Sequence, residues 1–127
     1  MKSNQQDNKD PAPAAAGAGT PVTVAVVEDS AVMRRNLSWW LGTTPGFRCV
    51  CTCANGSEAV RELPQCRPQV ALMDIQMPGL SGVECTAQLK QLLPALQIIV
   101  LTVYEDTDTI FEALRAGACG YLLKRSS

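Results

Sequence analysis

Five side chains in this 127-residue chain are of the types that handle a phosphoryl group: Glu28, Asp29, Asp74, Thr102 and Lys124. Asp74 closes the short apolar run Val70-Ala-Leu-Met73, and Pro78-Gly79 follows shortly after. The run reads as a buried strand and the Pro-Gly pair as the turn that stops it. Asp74 then lies where a buried strand surfaces at its carboxyl end, the edge at which open parallel α/β sheets bind ligands. Glu28 and Asp29 end the β-branched run Val22–Val27, Thr102 ends Gln97–Thr102, and Lys124 follows Cys119–Leu123. Three carboxylates gathered there repel: two unit charges about 4 Å apart at an effective dielectric near 20 interact by about 4 kcal/mol. Such a cluster needs a proton or a cation. Oxygen-only donors suit a hard ion, Mg²⁺ ahead of Ca²⁺. An ion on Asp29 and Asp74 would grip an incoming phosphoryl group, Lys124 would neutralise a second oxygen, and the Thr102 hydroxyl would donate to a third. Asp74 is the natural nucleophile, because a carboxylate can form an acyl phosphate. Each residue alone has a plainer reading as a turn, a helix terminus, a cap or a solvated charge; their joint position at strand ends favours the chemistry.

Positioning those residues requires alternating strands and helices. Val22–Val27 is the first strand. Ser30 caps a helix whose apolar stripe is Met33, Leu37, Trp40 and Leu41. After a turn at 43–46, Phe47–Cys53 is the second strand. Asn55-Gly56-Ser57 opens a helix with Ala59, Val60 and Leu63 inward, its end bracketed by Pro64 and Pro68. The Asp74 strand and a glycine-rich loop to Gly82 precede a helix with Glu84, Gln88 and Gln91 outward and Thr86, Leu89 and Leu93 inward; Pro94 stops it. Gln97–Thr102 is the fourth strand. A helix from Asp106 or Thr107 turns Ile110, Phe111 and Leu114 inward and ends at Gly117, and Cys119–Leu123 is the fifth strand. The alternation predicts a flavodoxin-like, doubly wound parallel sheet of order 2-1-3-4-5 with right-handed crossovers, whose switch point lies between strands one and three.

Composition narrows the class. Hydrophobic residues at 46% make the chain globular, and a net charge of −1 argues against holding nucleic acid electrostatically. No apolar run is long enough to span a bilayer and no secretory h-region opens the chain, so a cytoplasmic location is the default, with reduced thiols. Residues 1–20 are polar and then Pro/Ala/Gly-rich, and read as a disordered tail ahead of one domain over 21–127. Cys49, Cys51 and Cys53 alternate with Val50 and Thr52, which places them on one strand face as small core residues. Their spacing is not that of a zinc site, and the absence of His also removes a Ser-His-Asp triad.

From residue 22 to about 125 the chain resembles bacterial two-component response-regulator receiver domains, and its end resembles the NarL-type subgroup. The matching pieces are Val-Val-Glu28-Asp29-Ser, Leu-Met-Asp74-Ile-Gln-Met-Pro-Gly-Leu-Ser-Gly82, Val-Leu-Thr102 and Ala116-Gly-Ala-Cys-Gly-Tyr-Leu-Leu-Lys124. The resemblance implies that Asp74 is the phospho-acceptor, charged by a sensor histidine kinase. It implies that Glu28, Asp29 and Asp74 hold Mg²⁺ with the backbone carbonyl of Gln76, Glu28 through water. Thr102 and Lys124 match the phosphoryl-sensing pair, Tyr121 the aromatic that changes rotamer with Thr102, and Tyr104 a position that tunes hydrolysis. The implied role is a signalling switch whose only chemistry is its own phosphorylation and dephosphorylation. Its output is transcription through a DNA-binding domain outside this chain, with a homodimer of the phosphorylated form left open. Two departures stand out: Arg125 follows Lys124 where many receivers have a cis proline, and the chain stops at Ser126-Ser127 where a fifth helix is expected. An Mg²⁺-dependent phosphatase of the aspartyl-phosphate kind lacks a spare acid–base residue and a cap here. A receiver-like interaction module that is never phosphorylated remains the alternative, with the complete acidic set against it.

Overall fold

The computed structural model describes residues 19–103 and 107–124. Five parallel strands alternate with four helices: β1 (Val22–Val27), α1 (Ala31–Thr43), β2 (Phe47–Cys53), α2 (Gly56–Cys66), β3 (Val70–Asp74), α3 (Gly82–Leu92), β4 (Gln97–Thr102), α4 (Thr107–Ala116) and β5 (Gly120–Leu123). The spatial order is β2-β1-β3-β4-β5, the flavodoxin-like order, with the switch point between β1 and β3. The expected tail over 1–20 falls almost wholly outside the described residues.

Helix starts follow local chemistry. Ser30, Asn55 and Ser81 each accept, through the side chain, the N–H of the residue three positions on, and Ser81 with Glu84 completes a reciprocal capping box. α2 ends at Cys66, between Pro64 and Pro68 as expected. It carries Pro64 in its last turn, forgoing one backbone hydrogen bond, and Arg67 caps it by turning left-handed at φ 46°.

The sheet buries two unequal faces. On one, α2, α3 and α4 cover Ala25, Val27, Ala71, Met73, Ile98 and Val100. Leu63, Met73, Leu89 and Ile98 are fully buried there, each worth about 1.5–3 kcal/mol of hydrophobic transfer. On the other, α1 packs Leu37 and Leu41 over Val24 and Val26.

Three packing expectations change. Trp40 is 56% exposed, because α1 meets the sheet along the narrower row Met33, Leu37, Leu41. Phe111 and Leu114 are exposed too, while Ala113 is buried and Ile110 half-buried. The small Ala113 is the residue of α4 that enters the core as α4 packs on α3, and its larger neighbours are left outward. Third, the three alternating cysteines do not share one face. The β1–β2 register passes from Val24↔Cys49 to Ala25↔Cys51, so Val50 is an extra residue in β2. A bulge of this kind resets the alternation: Cys49 joins the α1 side, whereas Cys51 and Cys53 join the α2 side.

Candidate functional site

Backbone hydrogen bonds tie the carboxyl ends of the five strands, β1 to β2 and β3 to β4 to β5. The Glu28 N–H donates to the Cys53 carbonyl (3.0 Å), Ile75 to Leu101 (3.0 Å) and Lys124 to Thr102 (2.7 Å). α3 begins directly beneath Asp74. A Cβ on Gly82 would lie 2.3 Å from the Asp74 carbonyl oxygen and 2.6 Å from the Ile75 Cα, so only glycine fits without backbone movement. The Gly82 N–H also donates to the Ile75 carbonyl at 3.0 Å.

On this base Glu28, Asp29, Asp74, Thr102 and Lys124 come together as the sequence predicts. Ligand oxygens of Glu28, Asp29 and Asp74 lie within 4.8 Å of one another, the one such potential metal-ligand group among the described residues. Lys124 reaches into it, its Nζ donating to Glu28 Oε1 (3.0 Å) and Asp74 Oδ1 (3.3 Å). Glu28 is wholly buried, Asp74 and Thr102 nearly so, and Asp29 is exposed at the mouth. Gln76 is exposed at the rim, and its N–H donates to Asp74 Oδ1 at 3.3 Å. Tyr121, 42% exposed, lies on β5 opposite Val100. Tyr104 and Arg125, and with Arg125 the geometry of the bond that follows Lys124, lie outside the described residues.

One supporting residue was not singled out by spacing. Arg34 Nη1 donates to the Glu28 carbonyl at 2.8 Å, tying α1 to the acid pair. Glu28 Oε2 accepts the Ser30 N–H at 3.0 Å while Oε1 takes Lys124. Both Glu28 oxygens thus have donors, so Glu28 anchors the lysine, and Asp29 and Asp74 are the better placed carboxylates for an ion.

The electrostatics follow from three acids facing one lysine. Burial pushes the Asp74 carboxyl up to about 7, helped by its hydrogen bond with Asp29 and the charge of Glu28. The same hydrogen bond holds Asp29 below the usual carboxylate range. Burial opposes the charge of Lys124, but its hydrogen bond to Glu28 and the charge of Asp74 outweigh that and raise its pKa. Without a cation the Asp29–Asp74 pair therefore keeps a proton near neutrality. The donor set is oxygen-only and compact, which fits a hard divalent ion that would take that proton's place.

Comparison with known proteins agrees with this geometry. The family model for the response regulator receiver domain matches residues 24–127. The chain belongs to the response regulator receiver domain family. Among curated relatives, the oxygen regulatory protein NreC of Staphylococcus haemolyticus is 36% identical over 104 residues, covering 81% of this chain and 48% of that protein. The transcriptional regulatory protein LnrK of Bacillus subtilis is 35% identical over 106 residues, covering 84% and 48%. This receiver domain thus spans about half the length of the curated relatives it matches. Among solved structures, a LuxR-family response regulator from Aurantimonas sp. superposes with a TM-score of 0.79 at 28% identity, covering 85% of this chain and 77% of that one. The signal receiver domain of the NarL regulator from Mycobacterium tuberculosis gives 0.79 at 27% identity, covering 86% and 88%. These similarities put the chain with NarL/LuxR-type regulators and with two-component signalling. Among the described residues no helix is long and apolar enough to cross a membrane.

Proposed function

We propose that this receiver domain is a phosphorylation-dependent switch: Asp74 accepts a phosphoryl group from a sensor histidine kinase, with Mg²⁺, and the altered surface controls transcription. The observation that carries the reading is the position of Asp74. It is buried against α3, touched by Lys124, and within ligand distance of Glu28 and Asp29. An Asp74 oxygen attacks phosphorus, the bond from phosphorus to the donor nitrogen or oxygen breaks, and an acyl phosphate forms. Mg²⁺, when bound by Asp29, Asp74 and the Gln76 carbonyl, supplies positive charge to the phosphoryl oxygens. Lys124 remains on Glu28 and meets another of those oxygens, while the Thr102 hydroxyl donates to a third. Movement of Thr102 toward the phosphoryl group draws Tyr121 inward from its half-exposed position, which changes the α4–β5 face. Tyr104 limits the approach of water to the acyl phosphate. The domain does no chemistry on other molecules. The output is through a DNA-binding segment outside this receiver domain, in the cytoplasm, and a dimer of the phosphorylated form is one route to it.

Incubation with acetyl phosphate and Mg²⁺ followed by intact mass tests the assignment. The expected result is one phosphoryl adduct, lost in Asp74→Asn and lost when Mg²⁺ is chelated. An unchanged mass for the wild-type protein, or an adduct that survives Asp74→Asn, overturns it. Beryllofluoride is expected to shift tyrosine fluorescence, and a Tyr121→Phe variant that keeps the full shift removes Tyr121 from the switch.

A further inference from the structure

We propose that Cys51, Cys53 and Cys66 form a binding site for a soft, thiophilic d¹⁰ cation of the copper(I) class, separate from the acidic pocket. The bulge at Val50 makes the site. It sends Cys49 to the α1 side and leaves Cys51 and Cys53 together under α2, with their sulfurs 3.8 Å apart. Cys66, in the last turn of α2, donates through its thiol to the Leu63 carbonyl at 3.9 Å and lies near enough to Cys51 for each thiol to perturb the other. The three thiols thus line the β2–α2 seam, with Cys51 and Cys53 in direct contact. Cys51 and Cys66 are half-buried and Cys53 is fully buried, so an ion can enter and then lose its water.

The chemistry selects the class of ion. The facing ligand atoms are sulfurs, which prefer soft metals over Mg²⁺ or Ca²⁺. With metal–sulfur bonds of about 2.3 Å, two thiolates on one ion stand about 3.8 Å apart when tetrahedral and about 4.6 Å apart when linear. The Cys51–Cys53 spacing of 3.8 Å stands at the tetrahedral end of that range, so a linear two-coordinate ion draws the two sulfurs about 0.8 Å further apart. The three sulfurs do not all fall within 4.8 Å of one another, so the ion takes Cys51 and one flanking thiol at a time. Two-coordination is a habit of copper(I), whereas a closed zinc site needs four ligands.

Burial pushes Cys51 and Cys53 up to about 11 and Cys66 up to about 12, and the negative charge of Glu62 adds to all three. The thiols thus keep their protons until a cation arrives. As two S–metal bonds form, two thiol protons pass to solvent, and no electron is transferred. The row ends close to the acidic pocket, because Cys53 carries the carbonyl that accepts the Glu28 N–H.

Anaerobic titration of the reduced protein with copper(I) held by a chromogenic chelator tests the site. The expected result is withdrawal of one equivalent with a sulfur-to-copper charge-transfer band, lost in Cys51→Ser and kept in Cys49→Ser and Cys119→Ser. Alkylation of the wild-type protein mapped by mass spectrometry gives a readout that needs no variant to fold: copper(I) protects Cys51 and leaves Cys119 reactive. The proposal is overturned if no equivalent is withdrawn, if Cys51→Ser binds as the wild type does, if the signal follows Cys49 or Cys119, or if Cys51 alkylates equally with and without copper(I). Zinc(II) bound as tightly as copper(I) overturns the two-coordinate assignment.

Discussion

The acidic pocket and the thiol row begin one hydrogen bond apart, yet burial has opposite consequences in them. In the pocket, burial and neighbouring acids move Asp74 from 3.8 to about 7, into the range where its charge changes near neutral pH. In the row, burial moves Cys53 from 9.0 to about 11, out of that range. The same desolvation that makes one cluster sensitive to protons and cations makes the other electrically silent until a soft ion replaces its protons. What decides the outcome is where the unperturbed pKa lies relative to pH 7. Only the pocket contains a fixed cation: Lys124 bridges Glu28 and Asp74.

Removing that cation is the largest test of the contrast. Lys124→Met leaves Glu28 fully buried without its charged partner. Breaking a buried pair from one side costs about 3–5 kcal/mol, and a loss of that size is expected in urea unfolding at neutral pH. It shrinks in acid, where Asp74 takes up a proton. A loss that stays small at neutral pH would mean that Ser30 and Arg34 hold the Glu28 segment unaided, and the pocket would then be no more charge-dependent than the thiol row.

A smaller effect is expected from pH itself. The folded pKa of Asp74 lies above its unfolded value, so the folded protein holds a proton that the unfolded chain releases. The stability this gives is complete below about pH 3.8 and is lost as pH rises through about 7. Asp29 is depressed, so its contribution has the opposite sign: present above its unfolded value and lost as pH falls through its folded one. Because the two share a proton they titrate as a pair, and a net loss of about 2–4 kcal/mol between acid and neutral pH is expected without divalent ions. Thermal unfolding across that range measures it. Asp74→Asn is expected to remove the slope, and saturating Mg²⁺ to flatten it with release of a proton. A wild-type stability that does not fall over this range would show that the pair holds no proton.

These tests also bear on what the sequence could reveal. The five-strand order and the position of all five pocket residues were legible, because each functional side chain follows directly on an apolar run and run lengths set the strand ends. The supports were not. Gly82 looked like one more loop glycine, although a Cβ there would strike the Asp74 backbone. Arg34 looked like a surface charge on α1, although it holds the Glu28 carbonyl. Both depend on distances between elements, which one-dimensional spacing does not carry. The inward placement of Trp40, Phe111 and Leu114 failed for a related reason. Helical periodicity identifies a stripe, but which residues enter the core, here Leu41 and Ala113, decides which edge of it is covered. The cysteines erred through a single residue, since period-two reasoning presumes an unbroken strand and Val50 breaks it.

The smallest effect comes from the thiol side and separates the two regions most sharply. Cys53→Ala removes a sulfur atom with no solvent exposure from the core beneath α2. Loss of that apolar contact and the small cavity it leaves cost about 1 kcal/mol. Because the thiol stays protonated up to about 11, the cost is expected to be equal in urea unfolding at about pH 5 and about pH 8, on either side of the Asp74 transition. The backbone bond from Glu28 to Cys53 survives the substitution, since it uses the carbonyl and not the side chain. A cost that differs between the two pH values would mean that Cys53 feels the charge on Asp74 through that shared strand end. The pocket and the row would then act as one titrating unit.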